Sequence, residues 1–150
     1  MLQSITELEN IISRYTPLLS RINRNGISER PAVGKWSPKE IIGHMIDSAQ
    51  NNIRRFIVAQ YEDEPYIVYR QDDWVRICDY QHWGIQDLIS LWSLLNKQIV
   101  MIWKNMPEEK AQRTCRTQES HTIEWLAEDY NKHLLHHLHH VLEMEPVAYP

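Results

Sequence analysis

The stretch that most constrains this chain is "WSPKEIIGHMIDSAQNNIRRFI", residues 36–57. Ser37 is a favoured N-cap, Pro38 suits the first helical position, and Glu40 stands where the second half of a capping box belongs. Ile41, Ile42, Met45, Ala49, Ile53, Phe56 and Ile57 then recur at helical spacing. A start signal followed by one apolar face predicts a long amphipathic helix ending near residue 61. Such a helix has to bury that face against other elements.

Three further stretches carry the same period. Residues 3–23 repeat Leu8, Ile11, Ile12, Tyr15, Leu18, Leu19 and Ile22, with Pro17 predicting a kink or break, and "NRNGISERPAVG" stops them. Residues 84–106 place Leu88, Ile89, Trp92, Leu95, Ile99, Ile102 and Trp103 on one stripe. Residues 122–144 follow a polar connection, "AQRTCRTQESH". Residues 62–83 show no helical period and read as a long aromatic-rich loop; "YIVYR" within them has strand character but no evident partner. Four amphipathic helices in 150 residues predict one all-α domain, a four-helix bundle spanning 1–150.

Charge and cysteine usage narrow the function classes. A net charge of −4 argues against nucleic acid and against an anionic membrane surface. No apolar run is long enough to span a bilayer, and the first ten residues do not resemble a signal peptide. Cys78 and Cys115 form no CxxC pair and no disulfide framework, so a reducing, cytoplasmic setting is expected.

The chain has 8 histidines, and five of them fall in "HLLHHLHH", residues 133–140. With Leu126 at zero on a helical wheel, the apolar face runs from roughly 0° to 80°, and His137 and His133 fall at about 20° and 340°. Two imidazoles one turn apart on an inward face are the arrangement by which a helix offers two nitrogens to one metal ion. Once desolvated, each needs a partner. His136, His140 and Asp129 sit to one side of that face, where His136 and His140 are candidates to support the ligands or line a cavity, and His139 lies further round toward solvent. Titration near pH 6 along an outward histidine face accounts for His136 and His139 but not for His133 and His137.

On the second helix His44, Ser48, Asn51 and Arg55 form a polar stripe. By periodicity alone it is a solvent-facing stripe; alternatively it borders a cavity between helices, with His44 a third ligand. Asp47 reads first as a surface charge and second as an acid near the site. Asp129 reads equally as a surface acid or as an acceptor for a ligand histidine's free N–H.

These residues resemble the DinB/YfiT-like family. "KWSPKEIIGHMIDSAQNNIRRF" matches its second-helix pattern through Trp36, Ser37, Glu40, His44, Met45, Asp47 and Ser48. "HLLHHLHHV" matches its last-helix pattern through His133, His136, His137, His140 and Val141, and "PYIVYRQDDW" resembles its connecting loop. One departure is Gly43, where some relatives carry a second histidine. The resemblance implies a four-helix bundle, commonly homodimeric, holding a divalent metal on His44, His133 and His137. It further implies a hydrolase, or a thiol S-transferase joining a low-molecular-weight thiol to an electrophile. Zinc is the first expectation for the metal, with nickel, iron or copper also suited to histidine. Three histidines leave a vacancy, the catalytic style of site; zinc brings bound water to a pKa near ~7 and ionises a coordinated thiol. Of the two, thiol transfer to a small-molecule electrophile is the leading expectation, hydrolysis of an amide or ester the alternative, and metal binding without catalysis a third. Tyr66, Tyr69, Asp72, Asp73 and Trp74 are expected either to tie their loop down or to wall a substrate. Leu94, Met101, Leu135 and Leu142 suggest an outward self-association face.

Overall fold

A computed structural model of the chain describes residues 1–23 and 25–150. Its long helices are α1 (Leu2–Ser20), α2 (Pro38–Val58), α4 (Ile85–Asn105) and α5 (Ile123–Val141), with a short α3 (Gln71–Cys78) between α2 and α4. α2 packs against α4 and α5, and α1 packs against the same two. The helices α1 and α2, consecutive in sequence, therefore occupy opposite corners of the bundle, and α5 is brought beside α2. Among the described residues no helix is long and apolar enough to cross a membrane.

The start of α2 forms as the sequence indicates, but only half of the capping box is made. The Ser37 hydroxyl accepts from the Glu40 amide at 3.1 Å. Glu40 turns instead to Arg30, whose Nη2 lies 2.6 Å from its carboxylate, clamping the 25–37 connection onto the helix. α1 continues through Pro17 without a break. The lost hydrogen bond falls in its last turn, where packing of Leu19 and Tyr15 in the core outweighs it.

The interior is aromatic. Phe56 of α2, Trp103 of α4 and Tyr130 of α5 meet edge to face, with ring centroids 5.1 to 6.4 Å apart. The Tyr130 hydroxyl donates to Asn96 at 2.7 Å, so its polar end is satisfied inside the core.

The connections hold more structure than their patterns suggest. Residues 62–83 are not a bare loop: they contain α3 and a 3₁₀ turn, Tyr80–His82. α3 is eight residues long and buries only Val75, too short for a period to emerge, and Asp72 and Asp73 favour its N-terminus. The polar connection before α5 contains a hairpin, β1 (Thr114–Arg116) and β2 (Ser120–Thr122). "YIVYR" does have a partner: the Ile67 amide donates to the Arg116 carbonyl and the Arg116 amide to the Pro65 carbonyl, each at 2.9 Å. Buried Cys115 donates to the Pro65 carbonyl at 3.3 Å, and Cys78 is also a free thiol. Leu94 and Met101 stand exposed on α4, but Leu135 and Leu142 pack partly against the core rather than outward.

Candidate metal centre

α2 and α5 cross where His44 faces His133 and His137. Nε2 of His44 lies 3.0 Å from Nε2 of His133, and one nitrogen from each of the three rings falls within 4.8 Å of the others. His44 is only 2% exposed. Its ring sits between Trp36, 4.7 Å away, and the two α5 histidines, 5.0 and 4.8 Å away. Behind His133, the Ser48 hydroxyl stands 3.5 Å from Nδ1, at the outer limit of a hydrogen bond.

Burial keeps all three rings neutral. It lowers His44 to about 4. Burial, then the neighbouring His44, His136 and His140, lowers His137 to about 3. His133 is depressed well below its usual value by burial first and by His137 next. Neutral imidazoles are the form that ligates a metal.

The donor set fits a divalent cation. Nε2 of His44 and Nε2 of His133 face each other at 3.0 Å, which makes Nε2 the atom of His44 that would ligate; its Nδ1, on the far side of the ring, is buried without a hydrogen-bond partner among the described residues. A single N–H shared between His44 and His133 cannot satisfy three rings. A cation accepts a lone pair from each. Nitrogens ~2.0–2.1 Å from a tetrahedral zinc stand roughly 3.3 Å apart, inside the range the cluster spans.

Asp47 is not a surface charge. It is fully buried one turn beyond His44, where Oδ1 accepts from the Tyr80 hydroxyl and Oδ2 has no partner among the described residues. Burial raises its carboxyl to about 6, against the lowering effect of the Tyr80 bond. The stripe of Ser48, Asn51 and Arg55 likewise faces inward rather than to solvent: Ser48 and Asn51 are buried, and Arg55 is half-buried.

Asp129 does not take a ligand histidine's N–H. It accepts from the Tyr149 hydroxyl at 2.8 Å, and the Tyr149 ring lies 5.4 Å from that of His133. His136 and His139 are half-buried rather than turned outward. Their Nδ1 atoms sit 2.7 Å from the carbonyls of Val147 and Glu145, and His139 Nε2 is 2.7 Å from the Tyr15 hydroxyl. Two histidines of the motif thus fasten residues 145–147 back over α5. His140 is exposed and, with His137, Trp36 and Asp72, lines a recess of about 310 Å³.

On the other side, His133 opens into a cavity of about 500 Å³. Ser48, Asn52 and Arg55 of α2 form one wall, and Trp125 and Asp129 of α5 another. Tyr69, Gln71, the tip of the hairpin and Tyr149 complete it. At its rim Trp125 stacks on His121, ring centroids 3.6 Å apart and 10° from parallel. Tyr69 also meets Trp74 edge to face at 5.6 Å, so the 62–83 segment both ties itself down and walls the cavity. The hairpin and Tyr149 escaped sequence reasoning: "EPVAYP" has neither period nor motif.

A helical bundle whose crossing helices converge three imidazoles beside a cavity belongs to the class of bundles with a histidine cluster that could hold a metal ion. The chain belongs to the DinB superfamily, whose model matches residues 7–141. It is 26% identical over 140 residues to a protein of Halalkalibacterium halodurans named as a "putative metal-dependent hydrolase", covering 91% of this chain and 81% of that one. A similarly named protein of Oceanobacillus iheyensis is 25% identical over 93% of this chain and 83% of its own length. In structure the chain resembles YfiT from Bacillus subtilis, described as an unusual four-helix bundle, with a TM-score of 0.84 at 20% identity over 94% of this chain and 83% of that one. It also resembles a mycothiol-dependent maleylpyruvate isomerase, with a TM-score of 0.76 at 14% identity over 97% of this chain and 61% of that one.

Proposed function

We propose that the protein is a metal-dependent hydrolase of a small amide or ester, with the cation held by His44, His133 and His137. The observation that carries this is the convergence of three neutral ring nitrogens within 4.8 Å, one of them on the wall of a substrate-sized cavity. The names of the sequence relatives support hydrolysis ahead of thiol transfer. Zinc leads the candidate metals, followed by nickel and iron.

When bound, such a cation supplies a Lewis acid and a nucleophile already ionised at neutral pH. The chain's own residues do the rest. Two packed helices fix the ligand set, so little reorganisation is needed on binding. Trp36 closes the back of His44 against water. Asp47 offers a free buried oxygen one turn from the unpartnered Nδ1 of His44. Tyr69, Trp125 and Tyr149 present aromatic surface to hold a substrate against His133.

The test is metal content after purification without an affinity tag, followed by turnover of an ester and amide panel with and without added thiol. Near-stoichiometric metal, lost in His133→Ala together with turnover that needs no thiol, is the expected result. Absence of bound metal, or turnover indifferent to chelation, overturns the reading. A second reading, thiol transfer at the same site, is supported by the fold shared with the mycothiol-dependent enzyme. Conjugation of a low-molecular-weight thiol to monochlorobimane above background, without ester turnover, would select it.

A further inference from the structure

We propose that the cavity beside His133 takes a carboxylate-bearing substrate, with the carboxylate docked on Arg55 and the reacting bond at the histidine cluster. This rests on the metal-site reading above and names its substrate class.

Arg55 is the only Arg or Lys among the residues lining this cavity. It lies on the same side of α2 as Ser48, seven residues on, which places it on the order of 10 Å along the helix from the histidine end. Its plane is held from behind. Nε and Nη2 donate to the Ile67 carbonyl at 3.2 and 3.0 Å, and Nη1 donates to Asn52 Oδ1 at 3.3 Å. The Tyr69 ring lies 5.9 Å from Cζ. A guanidinium has five N–H donors, so two remain free.

Its charge has no partner of its own. Arg30, Arg70, Arg76 and Arg113 each pair with a carboxylate. Among the described residues no carboxylate lies within the 4.0 Å ion-pair distance of Arg55. Asp129, across the cavity, attracts this charge from a distance but makes no ion pair with it, and one of its oxygens accepts from the Tyr149 hydroxyl. Burial lowers the pKa of Arg55, in keeping with a guanidinium partly withdrawn from water. A half-buried cation without a counter-ion, on the wall of a cavity, selects an anion.

The anion is a carboxylate rather than a phosphate. A phosphate dianion calls for several cationic groups or a nest of backbone amides. This wall offers one guanidinium, and Asp129 and Glu119 repel higher negative charge. Trp125, Tyr69 and Tyr149 suit an apolar or aromatic middle.

The experiment is calorimetric titration of the zinc-loaded and the metal-free protein with 4-phenylbutanoate and 4-phenylbutanamide, alongside zinc content. The carboxylate is expected to bind about tenfold more tightly than the amide in both forms, as one charge-assisted contact implies. Arg55→Gln should bring the pair within about twofold. Since Arg55 also pins Ile67, Asn52→Asp is the second variant: it supplies an internal counter-ion, keeps the guanidinium in place, and should cancel the preference equally. Equal affinity, no binding of either probe, or a preference that disappears with zinc overturns the proposal, as does one that survives both substitutions. A chain that binds no zinc yet prefers the carboxylate would defeat the metal reading alone.

Discussion

Gly43 lies against the ring of Tyr80. A Cβ at position 43 would stand 2.0 Å from Cδ2 of that ring and 2.3 Å from Cγ. The absent side chain is what lets Tyr80 lie on α2 and donate its hydroxyl to Asp47, one turn past His44. The departure at Gly43 is therefore compensated by an aromatic ring from the connection after α3.

Gly43→Ala is expected to destabilise the fold by at least about 2 kcal/mol, despite alanine's better helix propensity, because the ring has to move. Urea unfolding measures this. Combining it with Tyr80→Ala should cost less than the two single changes added together. Strict additivity would mean that the two positions do not share this space.

Added zinc is expected to raise the melting temperature of the unsubstituted protein, and His133→Ala to abolish that rise. A ligand at 100 times its Kd stabilises by about 2.7 kcal/mol. His140→Ala, which changes an exposed ring in the same motif, should retain most of that rise. Calorimetric scans with and without zinc separate the two outcomes.

The metal-free protein should lose stability as pH falls below 6.5. The unfolded chain protonates its histidines near that value, whereas native His44 does so only at about 4 and His137 at about 3. In that window the unfolded state holds more protons, so acid favours it. Asp47 acts oppositely: native at about 6 against 3.8 unfolded, it takes up its proton first and offsets part of the loss as pH falls through that interval. Urea midpoints between pH 7 and 4 should decline, and less steeply in His133→Gln. A flat profile would contradict the burial of these rings.

Tyr149→Phe removes the donor to Asp129 and is expected to cost about 1 kcal/mol or less. Tyr149→Ala should in addition widen the cavity beside His133. Its signature is weaker binding of 4-phenylbutanoate with unchanged zinc affinity.

The bundle was legible because its helices are long enough for apolar period to dominate, as in 36–57. His133 and His137 were legible for the same reason, since one helix places them one turn apart. His44 was not, from pattern alone: its polar stripe matches a solvent face, and only the packing of α2 on α5, set by tertiary contact, turns it inward. Asp47 was misplaced for a related reason. A helix buried on nearly all sides carries no outward face on which to put an acid. α3 and the hairpin are shorter than the window in which period is detectable. Tyr149 reaches the site by side-chain hydrogen bonds from a tail with no regular structure.

The three clustered histidines stand on bundle helices, whereas much of the cavity wall is loaned by the α2–α4 segment, the hairpin and the tail. In the proposed hydrolase, catalytic power and selectivity would thus be lodged in separable parts. Lengthening or grafting the hairpin would then retune which molecule is admitted without touching the core, a division that would let a lineage diversify its substrates around a constant histidine cluster.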